Sequence, residues 1–180
     1  MIEELLEINK NFVENKEYEK FICGKLPAKK TAVLSCMDTR LTELLPAALG
    51  FKNGDVKIIK NVGGVVTYPF GTVMRSLVVA VYGLGVENIL VVGHYDCGMQ
   101  VLNCKDMLEK MKSRGIPEER IELLKSAGVD LETWLTGFTD VTQSVRENVE
   151  FIKNHPLMPK DVKVFGFVMD PVTGKVDPVK

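Results

Sequence analysis

Two short runs hold most of the side chains able to do chemistry: Cys36-Met37-Asp38-Thr39-Arg40 and His94-Tyr95-Asp96-Cys97-Gly98-Met99. The first alternates a thiol, a carboxylate and a guanidinium, so a chain that stays extended for a few residues turns all three to one side. The second separates an imidazole from a thiol by two residues, a spacing that a tight turn presents to a single ion, with Gly98 letting the backbone bend away. Two thiols and one imidazole match the soft, tetrahedral preference of Zn²⁺. Neither run is specific alone; found together at the ends of two expected parallel strands they are a strong signal, and if those strands are neighbours the two thiols and the imidazole converge on one point.

Each residue also has an ordinary reading. Cys36 alone is a small buried hydrophobe at a strand end, and His94 alone is a hydrogen-bonded core residue. Cys97, three positions after His94, changes that balance. Asp38 and Arg40 alone are an ion pair tying a loop, which is compatible with catalysis. The chain has four Cys and two His, so the remaining ones are quickly weighed. Cys23 and Cys104 have no partner at ligand spacing, and His155, in Lys153-Asn154-His155-Pro156, lies near the surface by pattern and has no assigned chemistry. Asn61-Val62-Gly63-Gly64 lacks the Gly-x-Gly-x-x-Gly or Gly-Lys-Ser/Thr pattern of nucleotide sites, so its glycines are expected to let the backbone approach the metal pocket closely. Met74, Met99, Met107 and Met111 read as core filler.

The elements that must position these residues follow from periodicity. Residues 30–35, 56–60, 88–93 and 161–168 are short apolar runs that read as strands, and 172–176 turns back into an antiparallel edge. Helices are expected over 41–49, 72–84 (apolar almost all round and closed by Gly85), about 100–112, 117–126 and 139–154. Residues 2–21 read as an amphipathic N-terminal helix, lying either on its own core or on a partner subunit. Repeated strand and helix predict an α/β fold: a mostly parallel central sheet of four strands, an antiparallel edge strand, and helices on both faces. Ligands of open α/β sheets sit at the carboxyl ends of strands, where the two reactive runs fall. The polar helices between Lys105 and Leu135 read as an insertion on the sheet's periphery.

Composition sets the outer bounds. The 180 residues carry 23 Lys+Arg against 24 Asp+Glu, and 46% are hydrophobic. That is one ordinary globular domain, residues 1–180, rather than a disordered chain. A net charge of −1 supplies no field for nucleic acid or an anionic membrane surface. The start is acidic and no apolar run approaches the ~18 residues of a transmembrane span, so the reading is cytoplasmic, with cysteines as free thiols or metal ligands.

The two reactive runs, taken with Ser35, Leu41, Lys60-Asn61-Val62-Gly63-Gly64, Arg75-Ser76-Leu77 and Leu84-Gly85-Val86, resemble the β-class carbonic anhydrases of the short microbial kind. The resemblance is close over about residues 30–100 and looser on to the last strand. It implies that Cys36, His94 and Cys97 hold zinc, that Asp38 and Arg40 form a paired catalytic dyad, and that zinc-bound hydroxide converts CO₂ reversibly to bicarbonate and a proton. It also implies an open arrangement and a closed one in which Asp38 is the fourth ligand. Two thiolates cancel the formal charge of Zn²⁺ and weaken its acidifying power, and an Asp38 ligand would close the site. Arg40 can prevent that by a two-pronged contact with the carboxylate. The resemblance further implies a homodimer or a multiple of dimers, with the pocket partly walled by the neighbouring chain. It supplies no proton shuttle at the position of His155. Carbonyl sulfide and carbon disulfide hydrolases use the same scaffold and the same residues. A non-catalytic zinc- or bicarbonate-binding protein would be marked by loss of Asp38 or Arg40, and both are present.

Overall fold

A computed structural model describes residues 1–180. In chain order the elements are α1 (Ile2–Glu14), β1 (Thr31–Cys36), α2 (Leu41–Ala48), β2 (Val56–Asn61), α3 (Thr72–Leu84), β3 (Asn88–His94), α4 (Cys104–Ser113), α5 (Glu118–Ser126), α6 (Leu131–Leu135), α7 (Val141–Lys153), β4 (Lys163–Met169) and β5 (Val176–Val179). The five strands form one sheet in the order β2-β1-β3-β4-β5. The first four are parallel, and β5 pairs antiparallel with β4. The expected α/β architecture, with its antiparallel edge, is therefore observed.

This order explains why the reactive runs meet. From β1 the chain crosses to β2 on one side, then passes back over β1 to enter β3 on the other. With right-handed crossovers, α2 and α3 must then lie on opposite faces, opening a crevice at the carboxyl ends of β1 and β3. The packing agrees. Ala32, Leu34, Ile89 and Val91 bury one face of the sheet under Met74, Leu77 and Ala80 of α3 and the apolar stripe of α7. On the opposite face Val33 and Val92 pack with Leu41 and Leu45 of α2. Because β1 is covered on both faces, all six of its residues are buried and it reads as a continuous apolar run rather than an alternating one. Each fully buried Leu or Val contributes roughly 1.5–3 kcal/mol.

Two expectations are modified and one is met. The N-terminal helix is shorter than 2–21: α1 ends at Glu14, Lys16 turns left-handed (φ 55°), and Glu17–Phe21 form one 3-10 turn. None of its residues is buried, so α1 does not pack on its own core. The segment between Cys104 and Leu135 does lie apart from the sheet, and its own small apolar cluster consists of Cys104, Ile121, Leu131 and Leu135. His155 is a correction. It is 5% exposed rather than superficial, because Pro69 O lies 2.8 Å from its Nε2 and Leu157 N–H donates to its Nδ1 at 3.2 Å. Those two contacts engage both ring nitrogens, Nδ1 as acceptor and Nε2 on the Pro69 carbonyl, and leave neither free for proton relay.

Candidate metal centre

β1 ends at Cys36 and β3 at His94, and the turn after β3 returns Cys97 toward Cys36. All three are buried, and their ligand atoms lie within 4.8 Å of one another. Cys36 Sγ and Cys97 Sγ are 3.9 Å apart, and all four cysteines are free thiols. Two thiolates bound to one tetrahedral zinc at ~2.3 Å stand about 3.8 Å apart, so the sulfurs already have that spacing.

The histidine supplies a second test. His94 Nδ1 sits 2.8 Å from Tyr95 O, which fixes the ring by a hydrogen bond to a carbonyl. Its Nε2 is buried without any hydrogen-bond partner; Ser35 Oγ is the other buried side-chain atom in that condition. A buried polar atom left unpaired costs about 1–3 kcal/mol, and a histidine with one nitrogen held by a carbonyl and the other bare is set up as a metal ligand. The residues present therefore fit a zinc ion.

Thiol acidity points the same way. The Cys97 hydrogen bond, with the backbone near Asp38 and Gly63, draws the Cys36 thiol well below its usual range against the opposing effect of burial. Cys97 moves the opposite way, pushed up by its bond to Cys36 and by burial.

The dyad stands beside this trio. Arg40 donates from its backbone N–H (2.9 Å) and Nε (3.0 Å) to Asp38 Oδ1, and from Nη2 (2.8 Å) to Oδ2. These bonds hold the Asp38 carboxyl down to about 2. Asp38 Oδ2 is 3.8 Å from His94 Nε2, at the margin of the ligand cluster. The groups open onto a cleft of about 440 Å³ lined by Cys36, Asp38, Arg40 and Cys97 with Val62 and Met99.

The glycine loop behaves as expected. Gly64 has φ +66°, and a Cβ there would stand 2.9 Å from both Cys36 N and Ser35 C. Only glycine lets the loop after β2 press on the end of β1. Cys23 is exposed and Cys104 is buried in the peripheral cluster, so neither joins the trio. Asp96 was not singled out by spacing, yet its carboxylate and its carbonyl both bind Arg40. The available signal was an acidic residue between His94 and Cys97 in a tight turn, a residue type that tolerates left-handed backbone.

Fold and donor set together define an open α/β protein with a thiolate–imidazole cluster able to hold a metal. A family model described as carbonic anhydrase matches residues 31–176, and the chain belongs to the β-carbonic anhydrase family. It is 55% identical over 177 residues to Bacillus subtilis YtiB, provisionally designated a carbonic anhydrase, covering 98% of this chain and 95% of that one. The crystal structure of β-carbonic anhydrase isoform I from Trichomonas vaginalis superposes with a TM-score of 0.90 at 32% identity, covering 99% and 97% of the two chains. A carbon disulfide hydrolase from Acidithiobacillus thiooxidans is 30% identical over 155 residues, covering 81% of this chain and 75% of that one. Members of this family are zinc enzymes, and membership supports a carbonate dehydratase, a lyase.

Proposed function

We propose that this protein is a zinc-dependent carbonic anhydrase that interconverts CO₂ with bicarbonate and a proton. The observation that carries the reading is the buried Cys36, His94 and Cys97 trio, with His94 Nε2 unpaired beside a carboxylate that Arg40 holds. Cys36, Cys97 and His94 Nε2 would hold the zinc. When bound, zinc lowers the pKa of water enough to make a nucleophile available near neutral pH. Asp38, kept ionised by Arg40, would accept a hydrogen bond from that water and turn it toward CO₂. Arg40 occupies both Asp38 oxygens, so the carboxylate is withheld from the fourth position; in a closed state Asp38 would be that ligand. Val62 and Met99 give the cleft an apolar wall suited to an uncharged gas.

The reading treats residues 1–180 as one zinc-binding domain, supported by a single sheet shared by the two larger core clusters. It also takes the protein as a homodimer or a multiple of dimers. The apolar residues Ile2, Leu5, Leu6 and Ile8 of α1 are each more than half exposed, and a second copy of the chain would bury them. Four free thiols accord with the reducing cytoplasm. No helix is long and apolar enough to cross a membrane.

Zinc content and stopped-flow turnover on CO₂, COS and CS₂ test the reading. One zinc per chain and CO₂ hydration as the fastest reaction are expected. Negligible CO₂ hydration beside rapid COS or CS₂ turnover would make it a hydrolase of the kind its 30%-identical relative is named for. Zinc binding without turnover would make it a binding protein. Light scattering showing an active monomer would defeat the dimer.

A further inference from the structure

Arg40 is held from two sides, and only one of them is Asp38. Its Nη1 donates to Asp96 Oδ2 at 2.8 Å, and its Nη2, besides serving Asp38, donates to the Asp96 carbonyl at 2.9 Å. Four of the five guanidinium N–H groups are thus committed, two to each aspartate. A planar fork anchored along both edges cannot rotate about its own axis without breaking a bond on one side or the other. Asp96 achieves this with a left-handed backbone (φ 53°), which turns its carbonyl and its carboxylate toward the same guanidinium. It sits between the proposed ligands His94 and Cys97, so Arg40 is referenced directly to the turn that carries them.

We propose that Asp96 is a positioning residue: it clamps the Arg40 guanidinium so that Asp38 stays turned toward Arg40 and away from the ligand trio. The inference rests on the functional reading above and deepens it. An ordinary surface ion pair is the competing account, because the Asp96 side chain is 86% exposed and such pairs contribute about 0–1 kcal/mol to stability. The clamp differs in what it predicts. Its effect falls on the orientation of Asp38 rather than on stability, and it depends on a hydrogen-bond acceptor at position 96 rather than on net charge.

Two substitutions separate the accounts, since glycine and asparagine both tolerate the left-handed backbone. Asp96→Gly removes the acceptor side chain; Asp96→Asn keeps an acceptor oxygen and removes the charge. Each variant, loaded with Co²⁺ in place of zinc, is compared with wild type by its visible absorption at one fixed pH, which reports the fourth ligand without any turnover. The zinc forms are then assayed for kcat and KM separately. The expected result is a changed cobalt spectrum for Asp96→Gly that disappears when Asp38→Asn is added. A fall of about tenfold in kcat with little change in KM should accompany it, and Asp96→Asn should restore both. An Asp96→Gly protein matching wild type in spectrum and kcat overturns the clamp, as does an Asp96→Asn protein as impaired as Asp96→Gly. A higher kcat in Asp96→Gly would mean that Asp96 competes with Asp38 for Arg40, and also overturns it. Should Asp96→Gly fail to hold metal, Asp96→Ser, whose side chain is one atom shorter and carries no carboxylate, is read by the same two measurements. Wild-type protein without zinc or CO₂ turnover would defeat the functional reading instead; an active wild type with silent variants defeats only the clamp.

Discussion

Cys104 is buried as completely as Cys36 and Cys97, at 2% exposure against 5% for each of the others, yet only the latter two stand in a chemical site. Cys104 opens α4 and faces Ile121, Leu131 and Leu135, inside a cluster built from one continuous stretch of helices. Burial there, with a hydrogen bond to the Glu132 carboxylate, raises its pKa and keeps it a neutral thiol. Cys36 and Cys97 come from opposite sides of a topological switch, and the same depth of burial there assembles a second sulfur, a bare imidazole nitrogen and backbone donors. Reactivity thus depends less on depth than on whether the fold delivers partners from distant sequence to the same point.

The sharpest way to break this contrast is to exchange the sulfurs for oxygens in both regions. Cys97→Ser should lower zinc affinity by at least about 100-fold and abolish activity, because it removes a soft ligand from a set of three. Cys104→Ser should retain full zinc and lose only stability, by about 1 kcal/mol, as a smaller, more polar group replaces the sulfur packed on Ile121, Leu131 and Leu135. Zinc content after dialysis and thermal melts decide; metal-free but active Cys97→Ser protein would refute the ligand assignment.

Arg40→Ala separates holding metal from using it. Zinc should remain at one per chain while kcat/KM falls about 100-fold, the scale expected when a preorganised charged group is lost beside the reacting atoms. Equal loss of zinc and activity would mean that Arg40 supports the trio itself.

Gly64→Ala tests the loop from β2. The added methyl meets the backbone of Ser35 and Cys36 at 2.9 Å with φ positive, so a loss of about 1–3 kcal/mol should show in a lowered melting temperature. The matching change at Gly128, where φ is also positive but a Cβ meets nothing within 4 Å, should cost less.

The smallest effect concerns pH. Arg40 lowers the Asp38 carboxyl from 3.8 to about 2, so this pair's contribution to stability is fully present above about pH 4 and is lost as pH falls toward 2. Asp38→Asn should flatten that part of the acid-unfolding profile and lower stability in the neutral range by the pair's contribution. An acid limb identical to wild type would show that the pairing carries no net stability.

Much of this was legible in residue order because local rules sufficed. The apolar runs that became β1 to β4 needed only composition and length, and α3 ends at Leu84, just before the expected Gly85. The Cys36, His94 and Cys97 trio was readable because His94 and Cys97 share a turn and Cys36 ends a strand. Where local rules failed, a distant contact had intervened. His155 looked superficial because its neighbours are polar, but Pro69 O, 86 positions away, fixes its ring. The amphipathic stripe of residues 2–21 was visible, but periodicity cannot state what covers it, and the chain's own core does not.

The sequence by itself determined the donor types, their local spacings and the strands that end in them, because these depend on side-chain chemistry and on interactions within a few residues. The tertiary structure decided that β1 and β3 are neighbours, that two sulfurs come to 3.9 Å, that His94 Nε2 has no hydrogen-bond partner, and that Asp96 grips Arg40 along a second edge of the guanidinium. Those facts join residues about sixty positions apart. Only the packing of both faces of the sheet, which leaves the crevice between its diverging crossovers open, could set them.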